Sequence, residues 1–274
     1  MLYLVATPIG NLSEITNRAI EILNSAEYIL CEDTRTSLTL LNNYNIKKKL
    51  VSYHKFNEKS MCDKILEDLK IGKEIALISD AGMPGISDPG SVLVNACHKE
   101  KLPVTVVSGA SALINAFVLS GFEPPFTFIG FLPTKNSEIS KLLSSFKDVD
   151  SCLIFYVSPH DIDNFYSKMI EFFPNRNSCV VREISKKFEE VTFVDAKERF
   201  NGVLKGEFVV IFNKPTKEQK QLNDEEIDTE IINMLKESKS KTEISKMISK
   251  KYNLNKNEIY KKVVDLSENK WITT

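Results

Sequence analysis

The sequence predicts an α/β protein, organised as two α/β domains followed by a helical C-terminal extension. Three observations carry that expectation. Short apolar runs alternate with amphipathic segments through the first hundred or so residues, the pattern of a largely parallel sheet. The pattern changes at Glu123-Pro124-Pro125, a plausible hinge. From about Lys214 the chain turns polar with helical periodicity. The expected divisions are 1–120, 121–214 and 215–274.

Taken in order, Leu2 to Ala6 is an apolar strand that ends at Thr7-Pro-Ile-Gly-Asn-Leu12. Ser13 is placed to cap the next helix, whose apolar positions Ile15, Ala19, Ile20 and Leu23 share one face. Glu27 to Cys31 reads as a strand running into Glu32-Asp-Thr-Arg35, and a helix starting at Thr36 carries Leu38, Leu40 and Leu41. Leu50 to Tyr53 is a short strand ending at His54, and Asn57-Glu58 opens a helix through Leu69. Glu74 to Ile78 is a strand, 91–100 a helix, and Val104 to Val107 a strand that delivers Ser108-Gly-Ala-Ser-Ala112.

In the second half the expected strands are Phe126 to Phe131, Cys152 to Val157, Ser178 to Val181, Glu189 to Val194 and Phe208 to Phe212. Helices are expected near 137–147 and from Ser158-Pro-His160 through Ile170. This half has the more antiparallel character. In the tail, Gln221 to Ser238 is acidic, whereas Lys239 to Lys262 carries eight lysines against two glutamates. Two helical stretches there, joined by a turn at 253–255, read either as a helix-turn-helix facing RNA or as a solvated pair docked on the main body.

Composition bounds the function. The 274 residues are 42% hydrophobic and 27% charged, ordinary for a globular protein. No apolar run approaches the ~20 residues that cross a bilayer, and Met1 to Ala6 lacks the basic flank and long apolar core of a signal peptide. Cys31, Cys62, Cys97, Cys152 and Cys179 are widely spaced, so reduced core thiols in a cytoplasmic protein are expected. His54, His98 and His160 lie far apart and suggest no metal site. With a net charge of −1, any nucleic-acid contact must come from a local patch.

The densest candidate for chemistry is Ser79 to Gly90, Ser-Asp-Ala-Gly-Met-Pro-Gly-Ile-Ser-Asp-Pro-Gly. Three glycines, two prolines and two aspartates in twelve residues exclude regular structure. At the carboxyl end of a strand, such a loop lets backbone groups approach a ligand closely. The glycines alone fit an ordinary strand-to-helix turn equally well. By the same rule of position, Pro8, Gly10, Asp33, Arg35, His54, Asp80, Gly82 and Ser111 follow strands and are candidates. No G-x-G-x-x-G follows the first strand, which disfavours a dinucleotide oxidoreductase.

Thr7-Pro-Ile-Gly-Asn-Leu12, Glu32-Asp-Thr-Arg35, the 79–90 loop, Gly130-Phe-Leu-Pro133, Phe155-Tyr-x-Ser-Pro-His160 and Arg182-Glu183 form an ordered set along the whole chain. In this order they resemble the 16S rRNA (cytidine-2′-O)-methyltransferase family of the small ribosomal subunit, within the tetrapyrrole (corrin/porphyrin) methylase superfamily. The resemblance implies two α/β domains of that type with an S-adenosylmethionine cleft between them, a homodimer, and methylation of a cytidine ribose in the decoding region of 16S rRNA. By position, it implies that Pro8, Asp80, Gly82, Ile86, Ser111, Ala112 and Val157 bind the cofactor.

Methyl transfer from a sulfonium is an in-line displacement, and a ribose hydroxyl must lose its proton, so a base or a stabilising cation is expected. Glu32, Asp33, Arg35, His54, Glu58, Arg182, Glu183 and Lys187 lie near strand ends. Of these, Glu183 or Asp33 is assigned to proton removal, and Arg35, Arg182 and Lys135 to RNA phosphates. An ion pair that only stabilises the fold is the competing reading at each Glu–Arg neighbour. The chain departs from the family pattern at Met83, at Ser108-Gly-Ala110, at Val157 and Asp161 in place of glutamate and arginine, and at Asn136-Ser-Glu138 in place of a basic stretch. Two other readings stand beside the main one: a tetrapyrrole or other small-molecule methyltransferase, and a non-catalytic RNA-binding assembly factor.

Overall fold

A computed structural model of the chain describes residues 1–216, 224–237, 239–252 and 254–268. They fall into two compact units, Met1–Pro215 and Thr216–Thr274.

The first sheet of Met1–Pro215 contains β1 (Leu2–Val5), β2 (Tyr28–Cys31), β3 (Leu50–Ser52), β4 (Ile75–Leu77) and β5 (Val104–Val107). Their order is β3-β2-β4-β1-β5, and every pairing is parallel. Both faces are covered, which is why the strands read as continuous apolar runs. Leu2 and Leu4 pack with α3 (Glu58–Lys70) and α4 (Ser91–Lys99), through Ile65, Leu69, Leu93 and Cys97. Tyr3 and Val5 point the other way, against α1 (Asn17–Ser25) and α2 (Thr34–Asn43), through Ala19, Leu23 and Leu41.

Two helix starts differ from expectation. The α1 cap is Thr16, whose hydroxyl accepts the Ala19 N–H, and not Ser13, which sits in a separate 3-10 turn capped by Asn11. Ile15 is extended, so the chain breaks between the turn and the helix. Asp33 caps α2 by accepting the Arg35 N–H, which starts that helix at Thr34, ahead of Thr36.

The second sheet contains β6 (Phe126–Gly130), β7 (Cys152–Val157), β8 (Ser178–Arg182), β9 (Glu190–Val194) and β10 (Phe208–Phe212), in the order β6-β7-β10-β8-β9. Only β6 and β7 run parallel; the other pairs are antiparallel. One face buries Phe155, Phe208 and Phe212 against α6 (Asn136–Ser144) and α7 (Ile162–Phe172), which contribute Leu143, Phe165 and Tyr166. Each such side chain contributes about 1.5–3 kcal/mol of burial.

The opposite face is covered by α5 (Ala112–Ser120), whose Leu113 and Ala116 join Ile154, Val181, Val209 and Ile9 in one apolar cluster. Thus the helix that follows the last strand of the first sheet packs on the second sheet. Ile9, from the turn after β1, joins the same cluster. These contacts tie both sheets into one unit and fix the geometry between them.

Thr216–Thr274 holds α8 (Asp224–Lys236), α9 (Lys241–Tyr252) and α10 (Lys256–Glu268). Ile227, Ile231, Ile244, Ile248, Ile259 and Val263 form its own core. Among the described residues, three helices therefore share this unit, where a pair was expected. The acidic segment joins in because Ile227 and Ile231 lie one turn apart on the same face. Asn253, part of the expected turn, lies outside the described residues.

All five cysteines are buried and unpaired. Among the described residues, no helix is long and apolar enough to cross a membrane.

Candidate active site

The carboxyl ends of β1 and β4 lie side by side because those strands are neighbours in the sheet. Just beyond them, Thr7 and Gly82 exchange backbone hydrogen bonds of 2.9 and 3.1 Å, lacing the two loops together. The Thr7 hydroxyl donates to the Ser79 carbonyl at 3.3 Å, and the buried Ser79 hydroxyl donates to the carbonyls of Ala81 and Gly82, both at 3.2 Å. Gly82 has φ +77, and a Cβ there would lie 3.2 Å from Ile9 Cγ2. Only glycine relieves both demands, so the loop must carry one at this place.

The facing wall comes from the second sheet. It consists of Tyr156 to Pro159 at the end of β7, Ile184 after β8, and Gly206 to Val209 entering β10. Glu183 adopts φ 51, a left-handed conformation unusual for its type. Its carboxylate accepts the Glu207 N–H at 2.9 Å and pairs with Lys186 at 3.0 Å. Lys186 also pairs with Glu207 at 3.0 Å, so three charges close on one another. Gly206, at φ +93, leaves the space that the Glu183 side chain fills.

Between the walls lies a cleft of about 410 Å³, within the range of small-molecule sites. Ile9, Val157, Ile184 and Phe208 supply apolar surface, and Glu32, Asp80 and Asp88 supply carboxylates. Burial, then the neighbouring charge of Asp80, raises the Glu32 carboxyl, partly offset by His54. Asp88 is pushed up to about 6 by burial and the charges of Glu32 and Asp80, against a hydrogen bond from Ser79. Across the cleft Glu183 moves the other way. Burial raises it, but Lys186 and the Glu207 N–H outweigh that and hold it below the usual glutamate value.

Of the sequence-predicted cofactor residues, Asp80, Gly82, Ile86, Ser111, Ala112 and Val157 all line this cleft. Pro8 is buried next to the lining residue Ile9. The five residues assigned to proton removal and phosphates, Glu183, Asp33, Arg35, Arg182 and Lys135, sit outside the lining. Arg182 pairs with Glu190 at 2.8 Å, and its side chain is only 13% exposed. Asp33 pairs with Arg35 at 2.9 Å, and the hydrogen bond from that guanidinium holds the Asp33 carboxyl low. Arg35 itself is 90% exposed.

The other candidates also lie apart. The His54 imidazole is turned into its own loop, its Nδ1 accepting the Phe56 N–H at 3.3 Å. Lys135 pairs with Glu138, and Lys187 stacks over Phe188. Glu32, named only as one of several candidates, does reach the cleft.

The sequence reading missed Asp88, Ile9, Ile184 and the Gly206-Glu207 approach. Asp88 shares the 79–90 loop with Asp80, so its loop position was a usable signal. The others depend on strand order, which no local pattern carries. Among the described residues, no group of three or more His, Cys, Asp or Glu is arranged to hold a metal ion.

The model of the Tetrapyrrole (Corrin/Porphyrin) Methylases matches residues 1–199. Ribosomal RNA small subunit methyltransferase I of Mycoplasmopsis pulmonis is 44% identical over 217 residues, covering 77% of this chain and 96% of that protein. The protein of the same name from Synechocystis is 35% identical over 273 residues, covering 97% of this chain and 98% of that one. Among solved structures, uroporphyrin-III C-methyl transferase from Thermus thermophilus, complexed with S-adenyl homocysteine, superposes with a TM-score of 0.53. It is 17% identical and covers 77% of this chain and 96% of its own, a likeness of fold alone. With a family model over most of its length and relatives matched nearly end to end, the chain belongs to the tetrapyrrole (corrin/porphyrin) methylases, and within them to the ribosomal RNA small subunit methyltransferase I family.

Proposed function

We propose that the protein methylates the ribose 2′-oxygen of a cytidine in 16S rRNA of the small ribosomal subunit, in its decoding region, using S-adenosylmethionine. The observation that carries this reading is the end-to-end match to the Synechocystis ribosomal RNA small subunit methyltransferase I.

The cleft fits the cofactor. Ile9, Val157, Ile184 and Phe208 offer an apolar slot for an adenosyl group, and the Gly82 loop brings backbone close to it. The carboxylates of Glu32, Asp80 and Asp88 offer acceptors for hydroxyls and a counter-field for positive charge. Asp80, Gly82, Ile86, Ser111, Ala112 and Val157 are assigned to hold it, with Pro8 setting the turn that presents Ile9.

When bound, S-adenosylmethionine supplies an electrophilic methyl group on a sulfonium. The residues of the chain then have to orient the acceptor oxygen in line, exclude competing water and help the hydroxyl proton leave. Glu183 or Asp33 is assigned to the proton, and Arg35, Arg182 and Lys135 to phosphates. Ion pairing makes both carboxylates weak bases. An alanine at either position that leaves turnover unchanged in a folded protein removes it from that role.

The reading includes a homodimer in the cytoplasm. Val118, 72% exposed on α5, and Phe193, 63% exposed on the edge strand β9, are exposed apolar side chains, and the Phe193 ring meets Phe122 edge-on at 6.2 Å. An apolar surface of this kind suits a second copy.

The test is transfer of labelled methyl from S-adenosylmethionine to 30S subunits taken from a strain lacking the activity, with naked rRNA in parallel. Incorporation into the subunit RNA is expected. Cofactor binding without transfer to any RNA would overturn the reading.

A further inference from the structure

We infer that Glu32, Asp80 and Asp88 make the cleft a charge selector, which holds the cationic sulfonium of the methyl donor more tightly than the neutral thioether left after transfer. The inference rests on the methyltransferase reading and adds how the site tells its spent cofactor from a fresh one.

The three carboxylates come from two separate places in the first sheet, the turn after β2 and the loop after β4, yet they line one cavity. Their mutual repulsion is visible, because Asp80 raises Glu32, and Glu32 and Asp80 both raise Asp88. Among the described residues, no lysine or arginine forms an ion pair with any of them, whereas Glu183, Glu190 and Glu207 across the cleft each have one. On the facing wall, Val157, Ile184 and Phe208 present apolar surface beside the carboxylates, which weakens screening there. Like charges gathered without a counter-charge favour any cation that enters.

The donor and its product differ at one atom. In methyl transfer the S–CH₃ bond is exchanged for an O–CH₃ bond, the sulfur keeps the electron pair and becomes neutral, and the hydroxyl proton passes to a base and on to water. The amino acid and adenosyl parts are common to both molecules. Discrimination by the carboxylates therefore acts on the sulfur charge alone and speeds exchange of product for donor.

The groups that face Asp88 are Glu32 from the turn after β2, Asp80 and Ser79 from its own loop, and Tyr156 from β7. His54, outside the lining, lowers Glu32 through its charge. A cation in the cleft favours ionised Asp88, so donor binding releases a proton near the point where Asp88 titrates. Product binding releases less.

The experiment is calorimetric titration of the full chain with S-adenosylmethionine and with S-adenosylhomocysteine, at about pH 7.5 and about pH 5.5, on either side of the Asp88 titration. The preference for donor over product should shrink by about tenfold at the lower pH, the change carried by one unit of pKa. Asp88→Asn should cut the preference at the higher pH and flatten its pH dependence. Asp80→Asn provides a second variant, and melting curves verify folding. Equal loss of both ligands in both variants, with the preference unchanged, would overturn the inference and leave the methyltransferase reading standing. Failure of the wild-type chain to bind either ligand would overturn both.

Discussion

On the first-sheet wall of the cleft, Glu32, Asp80 and Asp88 face the cavity without a cationic partner, and Asp88 is driven up to about 6. On the second-sheet wall, Glu183, Lys186 and Glu207 close on one another and Arg182 closes on Glu190. The difference follows from how each wall is built. Parallel strands end at the same edge and deliver successive turns there, so acidic turn residues accumulate beside each other. Antiparallel strands place residues directly opposite one another, and Arg182 lies opposite Glu190 in the β8–β9 register, so opposite charges meet and neutralise. One wall keeps its charge for a ligand; the other uses charge to hold its own shape.

The largest expected effect is on the paired wall. Gly206→Ala places a Cβ into the Glu183 side chain at a position with φ +93, so the ion-pair set must open and the entry to the central strand β10 must shift. A loss of about 3 kcal/mol in urea denaturation is expected. A variant as stable as the parent would break the account of that wall.

Next is Glu183→Gln, which removes the charge that Lys186 faces and weakens the acceptor of the Glu207 N–H. A loss of about 1 kcal/mol is expected. In a purely structural role kcat stays near the wild-type value, whereas a base would cost a factor of about 10² or more. That split decides which wall performs proton removal.

On the unpaired wall the sign reverses. A carboxyl whose folded pKa is raised contributes stability at low pH, and the contribution is lost as pH rises through the folded value. For Asp88 the window runs from the ordinary aspartate range up to about 6. Asp88→Asn should therefore stabilise the ligand-free protein at neutral pH by about 1 kcal/mol after allowance for solvent screening. Below that window the two melting temperatures should converge.

The smallest expected effect on the fold is at Arg35, exposed and paired with Asp33. Arg35→Ala should leave stability unchanged and, if the side chain meets a phosphate, reduce the slope of log affinity for rRNA against log salt by about one.

Much of this architecture was legible in the sequence because strands buried on both faces are continuous apolar runs. Val104–Val107, Cys152–Val157 and Phe208–Phe212 fall where the runs place them. The 79–90 loop was legible as irregular structure at the carboxyl end of a strand, but by itself it fits an ordinary turn equally well, and its assignment to a cofactor depends on the ordered motifs around it. For Arg182-Glu183, what the sequence does not show is which way each of the two neighbouring side chains turns. Arg182 is the last residue of a strand and points to β9, while Glu183 turns left-handed and points to Lys186 and Glu207. The Gly206-Glu207 approach depends on β10 sitting between β7 and β8, a pairing of distant segments that no local signal encodes. In the tail, strong charge patterning hid Ile227 and Ile231, and with them the third helix.

The most direct test of the central claim is the chemical identity of the methylated nucleoside. Small-subunit rRNA from cells lacking the protein is treated with the purified chain and labelled S-adenosylmethionine, then digested completely and separated by mass and retention. The label should appear as 2′-O-methylcytidine. Label on a nucleobase, on another nucleoside, or only on a small molecule added in competition would contradict the account.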